Sequence, residues 1–332
     1  MGEFDLISRY FARPVRHAAL GGGDDCALLQ PSPGHQLAIS SDMLVAGRHF
    51  FADVDPHALG HKSLAVNLSD LAACGARPLA FTLALSLPDV NEPWLEAFAN
   101  GLYALADTHG CELIGGDTTA GPLNICVTVF GEVPVVHGRS QALLRSGARP
   151  GDDVYVSGTI GDARLALDAL LGHTHLPAEV LAQARQRLER PTPRVALGLA
   201  LRGVASACID VSDGLMGDLG HILQRSGVGA TLEADIASSL IAASAYSTSA
   251  RGQFVIELSE ARRRQLALCG GDDYELLFTA PAALREAVQT AAHASQTPVT
   301  RIGQIDAAPG LRLIDSTGHT LANNYASFDH FA

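Results

Sequence analysis

Ala207-Cys208-Ile209-Asp210-Val211-Ser212-Asp213-Gly214-Leu215 is the stretch on which the reading of this chain turns. A short apolar strand over 207–210 ends on a carboxylate, and a helix opens immediately after it at Ser212-Asp213. Ser212 is read here as the N-cap of that helix, a position that also faces any anion drawn to the helix N-terminus. Two carboxylates and a hydroxyl at a strand-to-helix junction suit a metal-phosphate site.

The same pairing of glycine and acid recurs along the chain in Gly23-Asp24-Asp25, Ser40-Ser41-Asp42, Asn67-Leu68-Ser69-Asp70, Gly115-Gly116-Asp117 and Gly271-Asp272-Asp273. Each alone reads equally as a tight turn, since glycine and aspartate both favour turns. Adjacent carboxylates repel, however, and a hard cation offsets that repulsion. Ser40-Ser41-Asp42 is placed at the end of a strand over 36–41, and Gly115-Gly116-Asp117 in a turn after a strand over 111–114.

The remaining pattern fills in a mixed α/β chain. A short amphipathic helix is expected from Glu3 to Arg13 and a strand over 26–29. Asp55-Pro56 starts a helix that runs to Cys74 and closes at Gly75, with Ser63, Asn67 and Asp70 on one stripe. Residues 79–87 alternate as a strand, Asn91 caps a helix to His109, and 123–136 form a long apolar strand. A polar segment with Arg139, Arg145 and Pro150-Gly151 then separates a first domain, residues 1–137, from a second, 138–332. Strands at 153–157, 274–279 and 299–305 and helices near 162–171, 178–189 and Arg194 make up the second.

Composition limits the chemistry. The 332 residues hold 23 Lys+Arg against 35 Asp+Glu, a net charge of -12 that disfavours nucleic acid and anionic membranes as partners. Six cysteines without a C-x-x-C pair argue for reduced thiols and against zinc. No basic leader and no apolar window of ~18 residues is present, so a cytoplasmic protein is expected. His49, His221 and His330 lack metal-ligand spacing. Walker, protein-kinase and dinucleotide signatures are missing, so any use of ATP follows a less common architecture.

Read in order, GGGDDCALL (21–29), ISSDMLVAGRHF (39–50), HKSLAVNLSDLAACGARP (61–78), LIGGDTTAGP (113–122), RSGARPGDDVYVSG (145–158), RPTPRV (190–195), DVSDGLMGDLGHI (210–222), GGDDYELLFT (270–279) and FDHF (328–331) resemble the thiamine-monophosphate kinase family. That family lies in the aminoimidazole ribonucleotide synthetase-like superfamily. The resemblance implies an α/β (α+β) two-domain fold whose N-terminal domains form a β-barrel across a homodimer. It implies ATP-dependent, direct in-line phosphorylation of thiamine monophosphate to thiamine diphosphate, assisted by several Mg2+ ions. The first domain would bind ATP and Mg2+ and dimerise, and the second would complete the active site.

By the same resemblance Asp25, Ser40, Ser41, Asp42, Asp70, Asp117, Asp210 and Asp213 take metal positions, with Asp42, Asp70, Asp117 and Asp213 central to catalysis. Gly116, Asp117, Arg145 and Ser212 match positions around ATP, and His49, Asp272 and Tyr325 positions around the thiamine phosphate. Asp272 stands where the family commonly has glutamate, Tyr325 where it often has tryptophan, and Ala120 where it often has arginine. The rival readings are another ATP-dependent enzyme of the superfamily, such as a selenophosphate or aminoimidazole ribonucleotide synthetase, and a non-catalytic divalent-cation module.

Overall fold

Alternation in the strands decides how the first part of the chain is built. The computed structural model describes residues 2–242, 258–322, 324 and 325. It divides into two compact units, Met1–Leu71 with Ala76–Ala142 and Ala72–Gly75 with Leu143–Ala332.

The first unit carries β1 (His35–Val45), β2 (Arg77–Leu87), β3 (Glu112–Ala120), β4 (Asn124–Val136) and the two-residue β5 (Arg139–Ser140). The sheet order is β1-β4-β2-β3, with β5 hairpinned onto β4. Only β2 and β3 run parallel. Among the described residues this sheet is open, with β1 and β3 at its edges.

One face of the sheet is apolar and covered. Leu44, Ile125, Val127, Val129, Leu83 and Leu85 are buried there, as are most residues of α2 (Pro56–Ala73) and the apolar face of α3 (Glu92–His109). The caps read from sequence are present. Asp55 accepts from the Ala58 amide, Asn91 accepts from the Trp94 amide, and Gly110 closes α3 at φ 59°. The other face carries Ile39, Met43, Ala84 and Cys126, where a single covering layer would leave them wet.

Two expectations change here. The chain start is not one helix to Arg13 but α1 (Glu3–Leu6) continued by a π-helical turn, Ile7–Phe11. Residues 26–29 make no strand, only an isolated bridge between Leu20 and Leu28, because the glycine-rich segment between them offers few side chains to pack.

The second unit is built on a seven-stranded sheet. Its strands are β6 (Asp152–Ser157), β7 (Ala207–Asp210), β8 (Gly229–Glu233), β9 (Leu276–Pro281), β10 (Val299–Asp306), β11 (Gly310–Ile314) and β12 (Thr320–Leu321), in the order β12-β11-β8-β10-β6-β9-β7. The helices are α4 (Asp162–Leu170), α5 (Ala178–Glu189), α6 (Val195–Ala200), α7 (Leu215–Ser226), α8 (Ala234–Ser238), α9 (Glu260–Cys269) and α10 (Arg285–Ala294). Val154, Val156, Ile209, Leu277 and Ile302 of the strands meet Leu215, Leu219, Ile222 and Leu266 of the helices in one core. All six cysteines are free thiols, Cys111 and Cys208 buried and Cys26 exposed. Among the described residues no helix is long and apolar enough to cross a membrane.

One ion-pair knot in this unit carries a pH prediction. Asp153, fully buried, accepts from Arg285 at 2.6 and 2.9 Å and from Arg301 at 2.8 Å. The hydrogen bonds from Arg285, joined by Arg301, hold its carboxyl below the usual aspartate range. The folded pKa therefore lies below the unfolded one. The stabilisation is present above the unfolded pKa and disappears as pH falls through the folded value. Acid denaturation followed by circular dichroism should show an unfolding limb that Asp153→Asn flattens; an unchanged limb would show that the pair adds nothing.

Candidate active site

In the first unit two of the acid motifs, Ser40-Ser41-Asp42 and Gly115-Gly116-Asp117, sit inside strands, not at their ends. Ser40, Ser41 and Asp42 occupy the middle of β1, paired with Val129, Thr128 and Val127 of β4. Sequence reading ended the strand at Asp42 because aspartate is depleted in strands. The apolar Met43-Leu44-Val45 carries the pairing three residues further. Period-two alternation then splits the motif between the two faces. The Ser40 hydroxyl donates to Asp70 of α2, and the Asp42 amide donates to Asn67 Oδ1 at 3.1 Å. The polar stripe of α2 thus has its partner in β1. Ser41 turns to the opposite face, where its hydroxyl meets Thr128 Oγ1 at 2.9 Å.

Gly115-Gly116-Asp117 likewise lies within β3 and is not a turn. Its pairing with β2 slips between Phe81 and Thr82, leaving Ile114 as the extra residue of a bulge. At Gly116 a Cβ would stand 1.8 Å from the Leu83 carbonyl oxygen, so the strands approach too closely for any side chain. Register fixes where the acid falls. Asp117, Ala84, Cys126 and Met43 form one row across the sheet, on the face opposite Asp42. Three inter-strand steps separate β1 from β3, about 14 Å. Ser40, Asp42 and Asp70 are therefore brought together, and Asp117 is not. Asp25 lies exposed beside Asp24, whose carboxylate accepts its amide at 2.9 Å.

His49 follows β1, and its Nδ1 accepts from the Val45 amide at 3.0 Å. That bond places the ring proton of the neutral form on Nε2.

In the second unit two acid motifs distant in sequence are laced together. The Asp272 amide donates to the Ser212 carbonyl at 2.8 Å, Tyr274 to Val211 at 2.9 Å, and Val211 to Glu275 at 2.8 Å. Gly271 permits the approach, since a Cβ there would lie 2.4 Å from the Ser212 oxygen. Asp272 and Tyr274 both adopt left-handed backbone, φ 65° and 51°, on either side of the buried Asp273. Strain of this kind costs about 1–3 kcal/mol per residue and persists only where the surroundings impose it. Burial pushes the Asp273 carboxyl well above the usual range; its Oδ2 takes the Gly161 amide at 2.8 Å.

The surroundings that impose it centre on Glu275, fully buried. Its carboxylate accepts from Arg187 at 2.6 Å, from Arg194 at 2.5 and 2.6 Å, and from Ser157 at 2.5 Å. Burial works against the Arg187 charge, but Glu275 and then Asp273 outweigh it and hold its pKa above the ordinary arginine value. Arg187 also reaches the carbonyls of Thr159 and Asp273.

At the head of α7 sequence reasoning missed the decisive residue. Ser212 is not the N-cap; that position is Gly214, with no side-chain cap. The amides of Ser212, Asp213 and Gly214 instead donate to one oxygen of Asp218, at 3.1, 3.2 and 3.1 Å. Burial, with Asp213 adding to it, pushes the Asp218 carboxyl up to about 7 in spite of those bonds. The available signal was an acid at the fourth helical position, one beyond the acid of a capping box.

At the other end of α7, His221, Gln224 and Arg225 line a cleft of about 530 Å³ with Arg145. Tyr325 packs, partly buried, against the core of this unit. His330 and the FDHF segment at 328–331 lie outside the described residues.

The donors in these motifs are carboxylates and hydroxyls, hard oxygen ligands of the kind magnesium takes, with no thiolate or imidazole among them. Among the described residues no group of three or more His, Cys, Asp or Glu is gathered closely enough to hold an ion. The residues thus fit magnesium in chemical kind.

Both parts of the chain match known proteins. Residues 23–133 match the AIR synthase related protein, N-terminal domain, and residues 149–316 its C-terminal domain. A Salmonella typhimurium protein described as thiamine-monophosphate kinase is 46% identical over 337 aligned residues, covering 100% of this chain and 98% of that protein. The crystal structure of thiamine-monophosphate kinase from Stenotrophomonas maltophilia superposes with a TM-score of 0.80 at 46% identity, covering 96% of each chain. A structure described as AaThiL complexed with AMPPCP and TMP gives a TM-score of 0.73 at 29% identity, over 99% of this chain and 96% of that one.

Proposed function

The chain belongs to the AIR synthase related family, as one of its thiamine-monophosphate kinases, and from that premise we propose how its residues carry out the reaction. It is a phosphotransferase that uses ATP to phosphorylate thiamine monophosphate, giving thiamine diphosphate and ADP. The observation that carries this is likeness at 46% identity running through the whole chain.

The acceptor is itself a phosphate monoester with a second pKa of about 6, so at neutral pH it attacks without a strong base. Transfer is direct and in line, with no phosphoenzyme. Positioning and charge stabilisation supply the catalysis. Asp42, Asp70, Asp117 and Asp213 are the catalytic carboxylates. Together with Asp25, Ser40, Ser41 and Asp210 they are the positions that would hold the Mg2+ ions. When bound, that metal screens the negative charge of the two phosphate groups. Gly116, Asp117, Arg145 and Ser212 bind ATP. His49, Asp272 and Tyr325 receive the thiamine phosphate.

Incubation with [γ-32P]ATP and, separately, thiamine monophosphate, formylglycinamidine ribonucleotide or selenide tests this. Label should pass only to thiamine monophosphate, with matching ADP and no labelled protein. ADP release with another acceptor and none with thiamine monophosphate would overturn it.

The homodimer with its inter-subunit barrel belongs to the same reading. Two features support it: β1 is an edge strand, and on its uncovered face Ile39 and Met43 are 61% and 53% exposed. Asp117 lies on that same face. Light scattering should give a dimer for the unaltered chain and a monomer for Ile39→Asp/Met43→Asp; an unaltered chain that is monomeric at micromolar concentration would refute it. The cytoplasm is the compartment this reading assigns.

A further inference from the structure

We propose that Asp218 is a positioning residue of this site: one side-chain oxygen takes the three amides of the loop that leads into α7, and so fixes the Ser212-Asp213-Gly214 backbone. The inference rests on the kinase reading above for the roles of Ser212 and Asp213. Sequence logic assigns the free amides at a helix N-terminus to an incoming anion. Here the amides of residues 212, 213 and 214 are already spent on Asp218 Oδ2, at 3.1, 3.2 and 3.1 Å. Asp218 is 2% exposed, so it meets those three donors from inside the unit and is not itself solvated.

The consequence for the loop is specific. Its inner side is held by Asp218 from within α7, and its outer strand by the amides of Asp272 and Tyr274 donating to Ser212 and Val211. Between those two sets of bonds the backbone carrying Ser212 and Asp213 is tied on both sides. An anion binds this loop through its side chains and any metal they hold, not through the amides of residues 212–214. The third carboxylate so close to Asp213 would be an electrostatic burden if charge were its purpose. An acceptor of the right shape is what the geometry requires, and asparagine can provide one.

The test compares Asp218→Asn, which keeps an acceptor, with Asp218→Leu, which is similar in size and has none. Mn2+ titration in the presence of AMPPCP, read by electron paramagnetic resonance, reports on the loop without turnover. Asp218→Asn should bind within about threefold of the unaltered protein, while Asp218→Leu should weaken binding about tenfold or more and lower kcat about a hundredfold, the size expected from a displaced site residue. Melting curves and far-ultraviolet circular dichroism establish that each variant is folded at the assay temperature. Unchanged Mn2+ binding in folded Asp218→Leu overturns the proposal, as does a folded Asp218→Asn that fails as badly as the leucine variant. If Asp218→Leu does not fold, Asp218→Asn decides alone: near-normal binding and turnover support the acceptor role, and loss of both sinks it. Failure of the unaltered protein to phosphorylate thiamine monophosphate would instead refute the kinase reading, and the Mn2+ comparison would still judge the loop.

Discussion

Asp213→Asn should abolish turnover, with kcat falling by about a thousandfold, roughly 4 kcal/mol of lost transition-state stabilisation. Asparagine keeps the volume and one oxygen but removes the charge on which the proposed metal set depends. Fold should be untouched, because the backbone of Asp213 is held by Asp218 through its amide, not by its own carboxylate. Asp70→Asn is expected to behave alike in the first unit, with one difference. Asp70 accepts the Ser40 hydroxyl, and asparagine retains that bond. Steady-state kinetics across a Mg2+ series, beside a melting curve, checks both. Turnover within tenfold of the unaltered enzyme at saturating Mg2+ would remove these residues from the catalytic set.

The largest effect on stability is expected at Glu275. Its carboxylate is fully buried and takes hydrogen bonds from Arg187, Arg194 and Ser157. Glu275→Ala would leave two guanidinium groups, 19% and 17% exposed, without their counter-charge. Removing one member of a buried ion pair costs about 3–5 kcal/mol, a large part of the stability of an ordinary domain. Urea denaturation should show a lowered midpoint with an unchanged slope. A loss below about 1 kcal/mol would mean that the arginines find other partners and that the network is not what holds the strained turn. Activity should fall as well, since Arg187 also ties down the Asp273 carbonyl beside Asp272.

Much of the architecture was legible because its signals are local. The alternation of 79–87, the Asn91 cap and the αL Gly110 each follow from one residue type at one position. The Ser63-Asn67-Asp70 stripe called for a partner, and β1 supplies it to Asn67 and Asp70, while Ser63 bonds the Leu59 carbonyl of its own helix. What escaped depends on tertiary context. Asp42 and Gly115-Gly116 break strands by propensity, yet here the pairing on either side overrides it. Separation of Asp117 from Asp42 is a matter of register, which no single segment reveals. Asp218 reads as an ordinary early-helix acid until the three amides aimed at it are seen. The lacing of 211–213 to 271–275 joins segments some sixty residues apart, beyond the reach of any local pattern.

The alternation within β1 has a consequence for how this sequence can change. Odd positions present Ile39 and Met43 outward, and even positions present Ser40 and Asp42 toward α2. Insertion or deletion of one residue in this strand would exchange the two sets wholesale, putting hydroxyl and carboxylate on the outer face and aliphatic chains against Asp70. No such change can be trialled in one role while the other stays intact. Substitutions can accumulate in β1 one at a time, but its length is effectively frozen, and variation in chain length among descendants of this sequence should fall in the segments before His35 and after Val45.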